Sequence, residues 1–117
     1  MWFDTINNCE MGDEDIRSLL EDVAYDNKEY FCPDDLIDDC NSAVVYFGVS
    51  FSPSEIIKKL DPILYQTIWD DEINYWIDEV MYDINRLYHN DGDTLNECID
   101  LFRDVDILKH IVWKEQD

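Results

Sequence analysis

Positive charge is scarce in this 117-residue sequence. Eight lysine and arginine residues face 29 aspartate and glutamate residues, so the formal net charge at pH 7 is -21. A surface with this charge repels nucleic acid and acidic membranes, and we therefore expect neither to be a direct partner. The remaining partner classes are cations and proteins with basic surfaces.

Glycine, proline and long apolar runs are also scarce. Three glycines and three prolines are too few for a loop-rich all-β fold. The longest apolar run, residues 43–49, is seven residues long, whereas a membrane span needs about 20. Residues 1–10 lack the basic and apolar regions of a signal peptide. These absences predict a cytoplasmic protein with no membrane segment.

The cysteines show no close-paired spacing of the CxxC kind. Cys9, Cys32, Cys40 and Cys98 are far apart in the sequence, and no secretion signal accompanies them, which favours reduced thiols over disulfides. Cys40 and Cys98 fall on the apolar stripes of predicted helices, so we expect both to be small core residues.

Motifs for catalysis and metal binding are missing. The sequence has two histidines and no P-loop, nucleophile elbow, dinucleotide-binding or HExxH motif. An EF-hand with Gly92 at its sixth position would place Leu87 and Cys98 at ligand positions 1 and 12, which excludes that loop. A zinc site has no supporting ligand spacing. The sequence therefore predicts a protein that is not an enzyme and has no cofactor and no metal.

Helical periodicity is the main pattern that is present. Ile16, Leu19, Leu20 and Val23 follow the spacing of one buried helix stripe, with Asp13 as its cap. The 28 residues 62–89 contain no helix breaker and show the same periodicity. We therefore expect one long helix there.

The segment after Pro33 is ambiguous. Its apolar residues fit a helix that runs to Gly48 as a C′ stop, but residues 43–51 are also rich in β-favouring side chains. Both alternatives remain open from the sequence.

Helix starts are marked by three local signals. Residues 52–55 (SPSE) and 94–97 (TLNE) match the capping box, and Asp61 before Pro62 is a further cap. The sequence thus predicts a mainly α, compact single domain over residues 1–117, with five to six helices and a minor strand near residues 43–51. The segment 106–113 fits either one more helix or a strand.

The acidic residues form rows rather than a random scatter. On the predicted second helix they repeat at i, i+4, where each like-charge pair costs about 0.2–0.5 kcal/mol. On the long helix two tyrosines lie opposite the apolar stripe and carboxylates flank them. A solvated face is the simpler interpretation, and a partner-binding surface is the functional one. The predicted partner-binding residues are Asp34, Asp35, Asp38, Asp39, Asp71, Glu72, Tyr75, Asp78, Glu79, Tyr82 and Asp83.

These rows lead to two main hypotheses. The first is a nucleic-acid mimic that occupies the basic DNA- or RNA-binding channel of a bacterial defence enzyme, because fixed carboxylates substitute for phosphates there. The alternative is an immunity or antitoxin protein that neutralises one basic toxin through a local acidic patch. A third, weaker hypothesis is an adaptor that is acidic only for solubility.

The composition resembles that of phage-encoded DNA-mimic inhibitors of restriction and CRISPR enzymes, which are small, helical, acidic and rich in Asp, Tyr and Trp. Residues 52–62, with Tyr65 and residues 71–78, are also similar to a segment of small phage proteins. The resemblance implies an inhibitor that acts in the cytoplasm of a bacterial host cell and binds a basic nucleic-acid-binding protein.

A homodimer is a further prediction. Exposed apolar surface would support it, and aromatic residues near the ends of predicted elements are the candidates, although core burial is the favoured fate of each. They are Trp2, Phe3, Trp69 and Trp113.

Overall fold

Helices predominate in the computed structural model, which describes residues 1–99, 101–102 and 104–115. The α-helices are α1 (Asp13–Asp26), α2 (Asp34–Cys40), α3 (Pro53–Leu60), α4 (Pro62–Arg86) and α5 (Asp106–Lys109), and 3₁₀ helices cover Lys28–Phe31 and Leu95–Cys98. The strands are β1 (Trp2–Asp4), β2 (Cys9–Met11), β3 (Val44–Tyr46), β4 (Val49–Phe51) and β5 (Ile111–Trp113). The mainly α prediction is confirmed, but the strands are more than a minor addition.

The chain forms two compact units. The first unit is Met1–Val23 with Trp76–Asp117, and the second unit is Ala24–Tyr75. Helices α1 and α4 each continue from one unit into the other. The single-domain assignment stays a prediction.

A three-stranded antiparallel sheet belongs to the first unit. β1 lies in its centre, so that Trp2 is opposite Met11 of β2 and Trp113 of β5. The Asp4 carboxylate, at the end of β1, accepts hydrogen bonds from the backbone N–H groups of Ile6 (2.9 Å) and Asn7 (3.2 Å). These bonds begin the turn into β2. The pKa of Asp4 lies below its ordinary value. The largest cause is the hydrogen bond from the Asn7 side chain, and the next is the hydrogen bond from the Asn7 backbone N–H.

The core of the first unit follows the predicted helix stripes. Ile16 and Leu20 of α1 are fully buried, as are Ile77 and Ile84 of α4. Their 3.6-residue period is what allows one face of each helix to be buried continuously.

A β-hairpin in the second unit resolves the ambiguity after Pro33. α2 ends at Cys40, and β3 and β4 pair in register, with Val44 opposite Phe51 and Tyr46 opposite Val49. Gly48 is therefore a turn residue at φ +76° and not the C′ stop of a helix. The strand alternative is confirmed. Cys40 is exposed, so the expectation that it is a core residue is wrong.

The two capping boxes are not formed. Ser52 makes no side-chain cap bond; instead the Asp38 carboxylate accepts hydrogen bonds from Ser54, from its N–H at 2.9 Å and its hydroxyl at 3.1 Å. Thr94 also makes no cap bond. The third signal is confirmed, because the Asp61 carboxylate accepts a hydrogen bond from the Leu64 N–H at 3.0 Å.

The helix predicted after Thr94 is only one short 3₁₀ turn, Leu95–Cys98. Phe102 has φ +65°, a left-handed conformation that an α-helix does not accommodate. The segment 106–113 contains both predicted alternatives, helix α5 and then strand β5. No described helix has the length and apolarity needed to cross a membrane.

Candidate functional site

Helix α4 presents an acidic and tyrosine-bearing face to solvent. Ile73 and Ile77 are fully buried, whereas Tyr75 and Tyr82 are each 63% exposed. The predicted division of this helix into an apolar and a polar face is confirmed.

The part of α4 in the first unit carries three exposed carboxylates, on Asp78, Glu79 and Asp83. Arg17 of α1 donates a 2.7 Å hydrogen bond to Asp78. Arg86 lies 3.9 Å from Asp83 and 5.0 Å from the centre of the Tyr82 ring. Glu79 has no ion pair within the described part of the chain. These three carboxylates, called the acidic row below, keep a net negative charge together with the two arginines, because only two of the three are paired and exposed ion pairs of this kind are weak.

The part of α4 in the second unit carries the other three predicted partner-binding residues of this helix. Asp71 and Tyr75 are exposed and Glu72 is half-buried. The neighbouring Asp70 instead bonds within the unit, because it accepts hydrogen bonds at 3.0 Å from the Tyr25 hydroxyl and the Gln66 side-chain amide.

The four aspartates of α2 divide into two kinds. Asp35 and Asp39 are exposed. Asp38 bonds to the start of α3, as described above. Asp34 forms an ion pair with Lys58 of α3. The i, i+4 repulsion expected from the sequence is therefore partly relieved by a lysine that lies 24 residues further along the chain.

Asp34 is the centre of a hydrogen-bonded network. The Tyr65 hydroxyl donates to its carboxylate at 2.6 Å, and the Lys58 ammonium lies 5.1 Å from the centre of the Tyr65 ring. Burial raises the pKa of Asp34, but hydrogen bonds from Lys58 and Tyr65 outweigh it and the pKa is lowered. The hydrogen bond to Asp34 raises the pKa of Lys58. The pKa of Tyr65 is also raised, mainly by burial and then by the hydrogen bond to Asp34. This network connects α2, α3 and α4 within the second unit, and Asp34 and Asp38, both half-buried, bond inside that unit.

An aromatic cluster in the first unit was not predicted. The His89 ring lies 5.0 Å from the Trp2 ring and 4.6 Å from the Trp113 ring, between centroids, and its Nε2 is 2.5 Å from the Ile84 carbonyl oxygen. Trp2 is only 3% exposed. The aromatic residues singled out in the sequence for dimerisation are thus buried or half-buried, including Phe3 and Trp69.

Cysteines and metal ligands give no further site. All four cysteines are free. Cys98 is half-buried, and burial raises the pKa of its thiol. Among the described residues, no group of three or more His, Cys, Asp or Glu side chains is arranged to hold a metal ion.

A cavity of about 320 Å³ in the first unit is lined in part by two residues of the acidic row. Trp76, Val80 and Ile99 contribute apolar walls, and Glu79 and Asp83 contribute carboxylates. An apolar wall beside two carboxylates suits the aliphatic stem and the charged head of a lysine or arginine.

The chain was compared with family models, curated proteins and solved structures, and none of them matches it.

Proposed function

We propose that this protein is a nucleic-acid-mimicking inhibitor. It binds the basic nucleic-acid-binding channel of a bacterial defence enzyme, a restriction or CRISPR nuclease, and blocks the binding of DNA or RNA there. The observation that carries this proposal is the exposed row of Asp78, Glu79 and Asp83 on α4 in the first unit.

The density of the row supports the proposal. Three carboxylates between positions 78 and 83 are separated by five helical steps of about 1.5 Å, which is a mean spacing of roughly one charge per 3.7 Å of axis. B-DNA has about one phosphate per 3.4 Å along each strand and one per 1.7 Å when both strands are counted. Lysines and arginines placed to bind phosphates at that density meet a comparable density of carboxylates here.

Apolar anchors beside the charges also support it. Tyr82 is largely exposed within the row, and the cavity that includes Glu79 and Asp83 offers a pocket for one basic side chain. Tyrosine and buried arginine are the residue types that contribute most to protein–protein affinity.

The basic residues that the structure describes in the first unit offset this field only in part. Two form ion pairs with the row itself, one pairs within α5, and one lies over an aromatic ring. They are Arg17, Arg86, Lys109 and Lys114.

The test is competition for DNA. Purified restriction and CRISPR nucleases are bound to labelled DNA, the protein is added, and displacement is followed by mobility shift. We expect displacement that weakens at least about tenfold between roughly 50 and 200 mM salt, since the contact is between opposite charges.

A pair of matched variants assigns the effect to the row. Glu79→Gln with Asp83→Asn should weaken inhibition about tenfold. Glu10→Gln with Asp104→Asn removes the same charge from exposed positions of the same unit and should change inhibition little. Equal losses from both variants would show that only total charge matters, and no displacement at low salt by the unmodified protein would reject the proposal.

A further inference from the structure

The β3–β4 hairpin exposes apolar side chains on both of its faces. Phe47 at its tip is 89% exposed, Val45 is 67% exposed and Tyr46 is 65% exposed. Cross-strand pairing places Val44 and Phe51, and Tyr46 and Val49, on one face. Isolated apolar side chains on a surface are ordinary, but a contiguous group of this kind is typical of an interaction site.

The conformation of the tip is also unusual. Phe47 has φ +50° and Gly48 has φ +76°, as in a type I′ turn, where Asn-Gly is the preferred pair. A bulky aromatic residue is disfavoured at that backbone conformation. Its ring contacts that of Tyr46, with 4.5 Å between centroids, but most of the side chain remains exposed. A strained residue with this much exposed apolar surface points to a contact with another molecule.

An apolar groove of about 320 Å³ lies at the other end of the hairpin. Val44 at the base of β3 lines it together with Pro53, Ile56 and Ile57 of α3. The second unit thus carries both a protruding aromatic tip and an apolar recess.

Charge is absent from this region of a strongly acidic chain. Residues 41–54 contain no acidic or basic side chain. Two copies of a chain with net charge -21 repel each other at most contacts, but this surface allows them to meet without placing carboxylates against carboxylates.

We propose that two copies of the chain associate through this hairpin, with the outer edge of β3 in one copy antiparallel to that of its partner about Val45. The sheet contains only β3 and β4, so each strand has one edge that β-augmentation can use. The β3 edge is favoured because all three of its residues, Val44–Tyr46, are apolar or aromatic, whereas β4 has Ser50 at its centre. An antiparallel arrangement brings each Phe47 tip to the base of the partner hairpin, where the apolar groove lies.

The available area is sufficient for a dimer. The three aromatic side chains of the hairpin leave on the order of 400 Å² exposed per copy, given the roughly 150–250 Å² that one aromatic side chain can bury. Two copies, with their valines and grooves, reach the roughly 1,000 Å² that a specific interface requires.

Sedimentation equilibrium of the full chain tests the dimer. Reductant is included because Cys40, next to the hairpin, is an exposed thiol. We expect a species of twice the 14.0 kDa chain mass whose association strengthens with salt, because salt screens the repulsion between copies. Inhibition by charge, as proposed above, weakens with salt, so the two proposals fail independently.

Two variants and one control locate the interface. Phe47→Asn creates the preferred Asn-Gly turn, so it keeps the hairpin while removing the aromatic tip, and should weaken dimerisation about 30-fold or more. Val45→Lys should also weaken dimerisation, because two lysines would then face each other across the interface. This variant lowers the net negative charge of the chain, so the loss would not come from stronger overall repulsion. Tyr88→Asn removes an aromatic side chain that is equally exposed, at 90%, in the first unit and should have no effect.

A monomer at concentrations up to about 1 mM would overturn the proposal, as would a dimer that Phe47→Asn and Val45→Lys leave unchanged. If the unmodified chain is monomeric and Phe47→Asn instead abolishes displacement of DNA from a nuclease, the hairpin binds the inhibited enzyme and not a second copy.

Discussion

Adjacent residues with the same side chain have different roles in α2. Asp34 accepts hydrogen bonds from Lys58 and Tyr65, whereas Asp35 is exposed. The sequence predicts that both belong to an acidic helix, but it does not separate them, because the partners of Asp34 lie 24 and 31 residues away. Long-range contacts of this kind leave no local pattern in a single sequence.

Replacing Asp34 by Asn should lower the free energy of unfolding by about 1–2 kcal/mol at neutral pH, since charge-assisted hydrogen bonds in a half-exposed site have this value. Urea unfolding measures the change. Asp35→Asn is the matched control and should alter stability by less than about 0.5 kcal/mol.

The same pair of variants has a defined pH dependence. The pKa of Asp34 is lowered from 3.8 in the folded protein, so the unfolded chain takes up the proton first as the pH falls. The contribution of Asp34 is complete above its unfolded pKa and is lost as the pH falls through the lower folded pKa. The difference between Asp34→Asn and the unmodified protein should shrink as the pH falls below 3.8; a difference that is constant with pH would contradict an ionic role for Asp34.

Elements with strong local signals were predicted well. α4 begins at Pro62, directly after the Asp61 cap, and buries the predicted stripe, because capping and periodicity are both local. The hairpin is ambiguous in the sequence because β-branched and aromatic residues also fit a buried helix face over short runs. β1 and β2 were missed since three-residue strands are too short to show alternation, and the capping box at Ser52 was wrong because Asp38 satisfies the start of α3 from another helix.

The Asp61 cap provides a test at the level of one helix. Asp61→Ala should lower the free energy of unfolding by about 1 kcal/mol, because the Leu64 N–H loses its acceptor. Asp61→Asn keeps an equivalent cap and should be close to neutral. Thermal and urea unfolding of the two variants measure this difference, and a loss of the same size in both would assign the effect to charge instead of capping.

The acidity of the whole molecule has a cost in stability. A net charge of -21 repels itself more strongly in the compact state than in the expanded unfolded chain. Composition alone predicts this repulsion and predicts that the partner is not anionic, whereas the positions of the exposed acids required the fold.

Added sodium chloride should therefore raise the melting temperature, with most of the gain below about 1 M, where the screening length falls to roughly 3 Å. Scanning calorimetry at increasing salt measures the effect. The variant Glu10→Gln with Asp104→Asn has less charge to screen and should show a smaller gain. A melting temperature independent of salt would mean that self-repulsion is negligible in this fold.

The central position of β1 has a consequence for synthesis on the ribosome. Its two neighbours in the sheet are β2, which follows at once, and β5, which is more than 100 residues away along the chain, as shown by the pairing of Trp2 with Trp113. The sheet of the first unit therefore cannot be completed until residue 113 has left the ribosome. The second unit is a continuous stretch from Ala24 to Tyr75, and all of its residues have been synthesised well before then. Its contacts can therefore form before β1 has paired with β5.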